Sequence, residues 1–491
     1  MPIPALRCLP RNDQPIRPER CFVLYWMVTA RRTRSHYGLQ HALDLARSHR
    51  KPLVVLEAIR SDYRWVSERF QRFAVEGMVD NAAAFSAAGV RYHAYVEPTP
   101  GASKGLLEAL AAQAVAVVTD HYPCGFFPRM VEVAGQKLDV QLEAVDSNGL
   151  YPLAHAPKTF STAASFRRHL QKTLAPFLEQ PPVENPLADY DLGMAEVPDD
   201  VQRRWPHAQR LLEDPARVST LGLPSPGPVA VRGGAKTAQG ILDRFIDQRL
   251  VNYGERNHPD REGASGLSPW LHWGHLGAWE LVKRVFDRES WTPDQLGPVT
   301  GSRQGWWGLS EPAEGFLDEI ITWRELGHVF CHREPHFDRF ETLPAWAQKT
   351  LEEHRGDPRP EVYTDEQLAF ARTGDEIWNA AQRELVHDGR VQNYLRMLWG
   401  KKVLQWSAHP EQAWERLIDL NNRYALDGRD PNSYSGIAWV FGRFDRAWGP
   451  ERPIFGKVRY MTSDSTRRKL KLKGYLVRYG DESELADLAG K

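Results

Sequence analysis

Four groups of residues in this chain have the types and spacing of a chemical site. Arg396, Trp399 and Trp406 follow at intervals of three and seven on one predicted helix, so they lie close to one face, and Trp378 sits on the predicted helix before it. Indole is easily oxidised, and arginine is rarely buried without a partner; Asp427, in the following loop, is the candidate partner. Glu319 and Trp323, four apart, are expected to stack on one face of an earlier helix. The run from Gly263 to Pro269 places small residues and serine hydroxyls before an apolar helix, which makes either an anion site or a plain helix cap. Finally, GRFDRAWGPERPIFGKVRY mixes arginine, tryptophan and Gly-Pro turns in the manner of an exposed basic and aromatic surface. Taken singly, a tryptophan at helical spacing reads as core. Taken together, an interior charge beside a tryptophan file and a basic aromatic loop points to a redox or ligand site facing nucleic acid.

These groups must be held by helices, and the helix signals are plain. Thr373 and Glu376 have capping-box spacing, Gly389 stands where a C-cap glycine ends a helix, and apolar positions then recur at helical period to Trp406. Earlier in the chain the pattern differs. CFVLYWMV, PLVVLEAI, VRYHAYVE and AVAVVTD read as buried strands with helical stretches between them, which predicts a parallel, doubly wound α/β domain over residues 1–150. No GxGxxG follows the first strand and no phosphate-binding GxxxxGK[ST] occurs, so this half is not a nucleotide site by fingerprint. Residues 151–235, rich in proline, glycine and acids around a short basic helix at FRRHLQKTL, read as an interdomain connector. Residues 236–491 read as an all-α domain, interrupted by a Pro, Gly and Trp-rich loop at 290–312.

Composition limits the function classes. A chain of 491 residues exceeds the size of a single core. Lysine plus arginine equals aspartate plus glutamate at 63 each, so a nucleic-acid surface must be a local patch. Cys8, Cys21, Cys124 and Cys331 form no CxxC pair, which argues against a zinc site or a disulfide framework and fits a reducing compartment. His272, His328, His332 and His336 are closely spaced without a metal-ligand pattern, so no metal is expected. MPIPALRCLPRNDQPIRPER lacks an apolar run and no stretch reaches the length of a membrane span, so the expectation is a soluble intracellular protein. Nothing demands more than a monomer. Only Trp26, Trp65 and Trp205 of the 17 tryptophans precede residue 236, so the two halves are built for different work.

WNAAQREL, YLRMLWGKK, LDGRDPNSY and WGPERPIFGKVRYM, in this order, closely resemble the class II cyclobutane pyrimidine dimer photolyases. These are flavin enzymes that repair ultraviolet-damaged DNA with light. The resemblance runs over nearly the whole chain, thin at the N-terminus and dense after Asn252. It implies FAD as cofactor, damaged DNA as partner, and a possible antenna chromophore in the N-terminal domain that no residue here identifies. It implies that Ser265, Gly266, Leu267 and Ser268, with Tyr253 upstream, hold the flavin diphosphate; the YGERN segment is one residue shorter than the family pattern. Arg396 and Asp427 would pair beside the isoalloxazine and Asn421 would face its N5. Trp399, Trp378 and Trp406 would return electrons to the flavin from the surface. Glu319, Trp323, Tyr363, Met397 and Trp439 would form the lesion pocket. Arg446 and Trp448 would enter the gap left by a flipped-out dimer, while Arg443, Lys457, Arg459 and Arg256 would meet phosphates. The rival on the same scaffold is a cryptochrome-like photoreceptor, against which Glu319, Met397, Asn421 and Trp439 argue. A flavin-free nucleic-acid-binding helical protein is the rival from another class.

Overall fold

The computed structural model describes residues 3–480 and has the predicted order, an α/β unit followed by a helical one. The α/β unit is a six-stranded sheet of β1 (Cys8–Pro10), β2 (Phe22–Met27), β3 (Leu53–Ile59), β4 (Arg91–Val96), β5 (Ala114–Asp120) and β6 (Leu142–Val145), in the order β1-β6-β5-β2-β3-β4. All neighbours run parallel except β1, which pairs antiparallel with β6 through Cys8 and Val145. Helices α1 (Tyr37–His49), α2 (Glu68–Ala87), α3 (Leu106–Ala111) and α4 (Phe127–Lys137) make the crossovers. The four long strands are the apolar runs legible in the sequence, and β2 and β5 are buried along their whole lengths. β1 and β6 were not anticipated, because three and four residues are too short for a period to show.

At the point where the sheet order reverses, between β2 and β5, a doubly wound fold ordinarily offers backbone N–H groups to a ligand. Here Asp120, the last residue of β5, takes them itself. Its Oδ2 accepts from the amides of Val28, Thr29 and Ala30 at 2.9, 2.8 and 2.9 Å, and its Oδ1 accepts from the Tyr25 hydroxyl at 2.6 Å. The chain fills its own anion nest.

The connector from residue 151 carries short helices, among them α5 (Ala163–Thr173), the basic helix seen in the sequence. Two buried side chains tie it and the α/β unit to the helical unit. Arg69 on α2 donates to the carbonyls of Pro226 and Gly227 in the connector and of Val386 and Tyr424 in the helical unit. Glu325 accepts from the amides of Leu150 and Tyr151 at 2.7 and 3.0 Å.

In the helical unit the site-bearing helices are α6 (Arg324–Arg333), α7 (Glu376–Asp388), α8 (Asn393–Trp406), α9 (Pro410–Tyr424) and α10 (Pro431–Val440). Gly389 ends α7 in the left-handed conformation, φ 67°, as its type predicts. The N-cap differs from expectation. Asp375, not Thr373, accepts from the Trp378 amide at 3.0 Å, and the Thr373 hydroxyl instead donates to Asn379. A carboxylate at the helix start gains from the helix dipole where a hydroxyl does not. Helices α8 and α10 meet at Gly400, where a Cβ would lie 2.6 Å from Val440 Cγ2. Among the described residues no group of three His, Cys, Asp or Glu is placed to hold a metal, and no helix is long and apolar enough to cross a membrane.

Burial keeps several histidines neutral: the pKa of His93 and of His328 is pushed down to about 4, and that of His275 to about 3. The unfolded chain protonates these groups near about pH 6.5, so their contribution to stability is complete above that value and lost as pH falls toward their folded pKa values. The urea midpoint should therefore drop steeply on acidification from about pH 6.5 to about pH 4.5, each histidine costing up to about 1.4 kcal/mol per unit. A midpoint level across that range would refute the assignment.

Candidate active site

A cavity of about 720 Å³ opens into the helical unit and gathers most of the residues singled out from the sequence. Tyr253, the Ser265–Ser268 turn, Glu319, Trp323, Arg396, Met397, Trp399, Asn421, Asp427 and Trp439 all line it. Its volume lies within the usual range for a cofactor-sized site.

The polar side of the cavity comes from α8, α9 and the turn after α9. Arg396 donates to both oxygens of Asp427 at 3.1 and 3.4 Å, so the inward-facing guanidinium is compensated. Asn421 is buried and its amide nitrogen donates to Asn422 at 3.2 Å. Beyond Asp427, Asp430 accepts from Tyr122 of the α/β unit and lies 3.1 Å from His272 Nδ1. Burial alone would raise the Asp430 carboxyl; its hydrogen bond with His272 and the charges of His272, His328 and Arg324 hold it well below the usual carboxylate range.

The Ser265–Ser268 turn passes under an arginine that sequence reasoning missed. Gly266 has φ 70°, and a Cβ there would come within 2.6 Å of Arg390 Nη1. Arg249, Arg390 and Arg478 also line the cavity, which makes this wall suited to a diphosphate. The signal for Arg390 was its place directly after the C-cap Gly389 of α7, where the chain turns back into the cavity.

The opposite wall is built by an unusual helix. Between Glu311–Leu317 and α6 the chain is wound as a π-helix, Asp318–Trp323, and a second π segment, Phe245–Arg249, precedes the turn that carries Tyr253. The α-helical stacking expected of Glu319 and Trp323 is therefore replaced by π winding, which still brings both to the cavity. Asp318, the residue before, is held by Arg167 of α5 at 2.6 and 2.9 Å. Glu319 accepts from Arg256 at 2.9 Å, and Arg256 lies over the Tyr253 ring, 4.7 Å from its centroid. Burial raises the Glu319 carboxyl and the Arg256 charge opposes it. The structure thus puts Arg256 inside the cavity as the partner of Glu319, and no longer on a phosphate-facing surface.

The tryptophans form a chain with a definite order. Trp378 lies parallel to Trp399, with centroids 6.4 Å apart and planes 4° apart, and edge-on to Trp406 at 5.4 Å. Trp378 Nε1 donates to the Trp399 carbonyl at 3.0 Å, and Trp399 Nε1 to Gln382 at 2.9 Å. Trp399 faces the cavity, but Trp406 is only 2% exposed and does not reach the surface. Tyr363 does so instead. It packs edge-on against Trp406 at 5.0 Å, half-buried, with its hydroxyl donating to Glu361 at 2.6 Å. Tyr363 is therefore not a wall of the cavity, the place expected for it, but the outer end of the aromatic chain. Its sequence position, in an irregular loop before α7, carried no signal of either.

The basic aromatic loop is a ladder of alternating charges and rings. Arg459 lies over both Trp439, at 5.1 Å, and Trp448, at 4.2 Å, and Arg446 covers Trp448 at 4.5 Å. Asp445 holds Arg459 at 2.9 Å and accepts from Trp448 Nε1 at 3.2 Å. Arg446 is exposed and Lys457 is paired with Glu451 at 3.2 Å. Arg443 departs from expectation. It turns inward over Phe330, at 4.6 Å, and Phe444, and donates to the Thr342 carbonyl, so its charge serves packing in place of a phosphate.

No family model matches the chain. It is similar over most of its length to proteins named deoxyribodipyrimidine photo-lyase. The relative from Methanothermobacter thermautotrophicus is 33% identical over 461 residues, covering 93% of this chain and 94% of its own. Those from Arabidopsis thaliana and Potorous tridactylus are each 31% identical, covering 94% and 91% of this chain and 89% and 79% of their own. Among solved structures, a bacterial class III photolyase from Agrobacterium tumefaciens superposes with a TM-score of 0.66 over 94% of this chain and 86% of its own, at 17% identity, a likeness of fold.

The Arg396–Asp427 pair yields a prediction of its own. Asp427→Ala should destabilise the protein by about 1–3 kcal/mol, a figure reduced for the partial exposure of Arg396, while a double change of Arg396 and Asp427 to apolar residues should recover part of the loss. A urea-unfolding double-mutant cycle measures this, and strict additivity would contradict the pairing.

Proposed function

Since the chain belongs to the deoxyribodipyrimidine photo-lyase family, we propose that it uses light to split cyclobutane pyrimidine dimers in DNA, as the class II enzymes do. The observation that carries the reading is one cavity shared by an inward-facing Arg396–Asp427 pair, Asn421, the head of a tryptophan chain and a wall of Glu319, Trp323, Met397 and Trp439. Heat splits such a dimer slowly, whereas its radical anion opens readily, so the site needs a strong one-electron donor that no side chain supplies. FAD, if bound in this cavity, would supply that electron in its reduced, photoexcited form. The residues present fit it: the cavity is of cofactor size, the Gly266 turn and Arg390 suit a diphosphate, and the pair and amide suit a ring that becomes anionic when reduced.

In this reading Arg396 favours the negative charge of the bound cofactor, and Asp427 keeps the guanidinium oriented and compensated. Asn421 offers a donor and an acceptor without taking on charge, as an aspartate there would. Trp399, Trp378 and Trp406 relay electrons between the cavity and the half-buried Tyr363. Glu319, held by Arg256, hydrogen-bonds a pyrimidine edge, and Trp323, Met397 and Trp439 pack against the lesion. The dimer must leave the duplex to reach them, and its poor stacking and pairing lower that cost. Arg446 and Trp448 are placed on the outer loop to enter the gap, and Lys457 and Arg459 to meet phosphates. A second chromophore in the α/β unit would need a site other than the Asp120 nest, which is already filled.

An oligonucleotide bearing one cyclobutane dimer, incubated with pre-reduced protein, should lose the dimer in blue light and keep it in darkness. Retention of the dimer in light by protein that holds reduced FAD would move the reading to a photoreceptor. Binding should weaken with salt, with a slope of log K against log salt of about −2 for the two phosphate contacts of Lys457 and Arg459, and a flat curve would contradict the surface assignment. Asn421→Asp should lower repair with dimer affinity unchanged, checked by single-turnover yield against dark binding.

A further inference from the structure

Lys401, two residues after the head of the tryptophan chain, is wholly buried. Its ammonium has no carboxylate within ion-pair distance among the described residues, and its one hydrogen bond is donated to the carbonyl of Val440. Val440 is the last residue of α10, so the lysine caps a helix C-terminus, where unsatisfied carbonyls and the helix dipole favour a cation. The ammonium also lies 5.6 Å from the centroid of Trp439, the residue before Val440. Gly400 brings the two helices together at this point. A buried amine is retained here with a carbonyl end and an indole as its direct contacts, directly behind the wall of the cavity.

We propose that Lys401 is a positioning residue for dimer recognition: its ammonium, held between the end of α10 and the Trp439 ring, fixes that indole at the cavity wall, and the wall is set only while the lysine carries its proton. The inference rests on the dimer-splitting reading above. The groups facing the ammonium are few. On α8, Lys402 turns away to Asp375 at 3.1 Å; on α10 the one titratable residue is Tyr434, which accepts from Asn422. In the loop after α10, Asp445 raises the affinity of Lys401 for its proton and Arg459 lowers it, while Arg443 is stacked on Phe330. Burial dominates and brings the Lys401 pKa down to about 7, so the ammonium is complete below neutrality and lost above it.

The test measures, in darkness and with the holoprotein, the ratio of affinities for duplex with and without a dimer between about pH 6 and about pH 8.5. The ratio should fall severalfold as pH rises through about 7. Lys401→Met should give a low ratio that no longer varies with pH, and Lys402→Met should keep the step, since that neighbouring lysine turns away to Asp375 and is not its source. Flavin content and the urea midpoint report whether each variant is folded, and the wild-type profile stands even where Lys401→Met is not. A clear dimer preference level across this range, a step kept in folded Lys401→Met, or a step abolished by Lys402→Met would overturn the role of Lys401. No dimer preference at any pH would instead sink the dimer-splitting reading on which it rests.

Discussion

The close approach of α8 to α10 at Gly400 is the constraint on which the rest of the site depends. No side chain fits between that glycine and Val440, so the two helices lock at one register. Trp399 and Lys401 flank the glycine on one helix, and Trp439 adjoins the valine on the other. One helix crossing thereby fixes the head of the aromatic chain, the buried cation and a wall of the cavity relative to one another. Arg396 and Met397, one turn earlier on α8, reach the same cavity from the same register. A larger residue at 400 would shift all of them at once.

The cavity itself is lined with polar groups mostly held in pairs: the ion pairs Arg396 with Asp427 and Arg256 with Glu319, and the hydrogen-bonded His272 with Asp430. Such pairs contribute little net stability, since desolvation offsets attraction. What they provide is direction. Each carboxylate holds its partner in one rotamer, so a bound anion meets oriented donors without further ordering. Winding the Glu319 segment as a π-helix serves the same end, since it turns Asp318 back onto Arg167 while Glu319 and Trp323 face the cavity.

Much of this was legible in the residues. The buried strands announced the α/β unit, and the C-cap glycine and helical period located α7 and α8. Arg396 with Asp427 was visible as a charge needing a partner. The rest was not, for physical reasons. The π winding leaves no periodic trace over six residues. Arg256 and Arg443 were read as surface cations because composition cannot distinguish an arginine that stacks on a ring or pairs with an internal acid from one that meets solvent. Tyr363 lies far from the tryptophans in sequence and near them only through tertiary packing. Thr373 lost its capping role to Asp375 because two residues competed for one helix start.

The guanidinium of Arg69 carries a consequence for how the molecule comes apart. Its four carbonyl partners lie in three separate segments of chain, and burial without an anion lowers its pKa to about 10. Moving any one segment strips acceptors from a charge that cannot be left dry, so water must enter and release the other two. The sheet unit, the connector and the helical unit should therefore melt as a single cooperative body. A chain this long would ordinarily show successive transitions, and here Arg69, with Glu325, yokes the two units together.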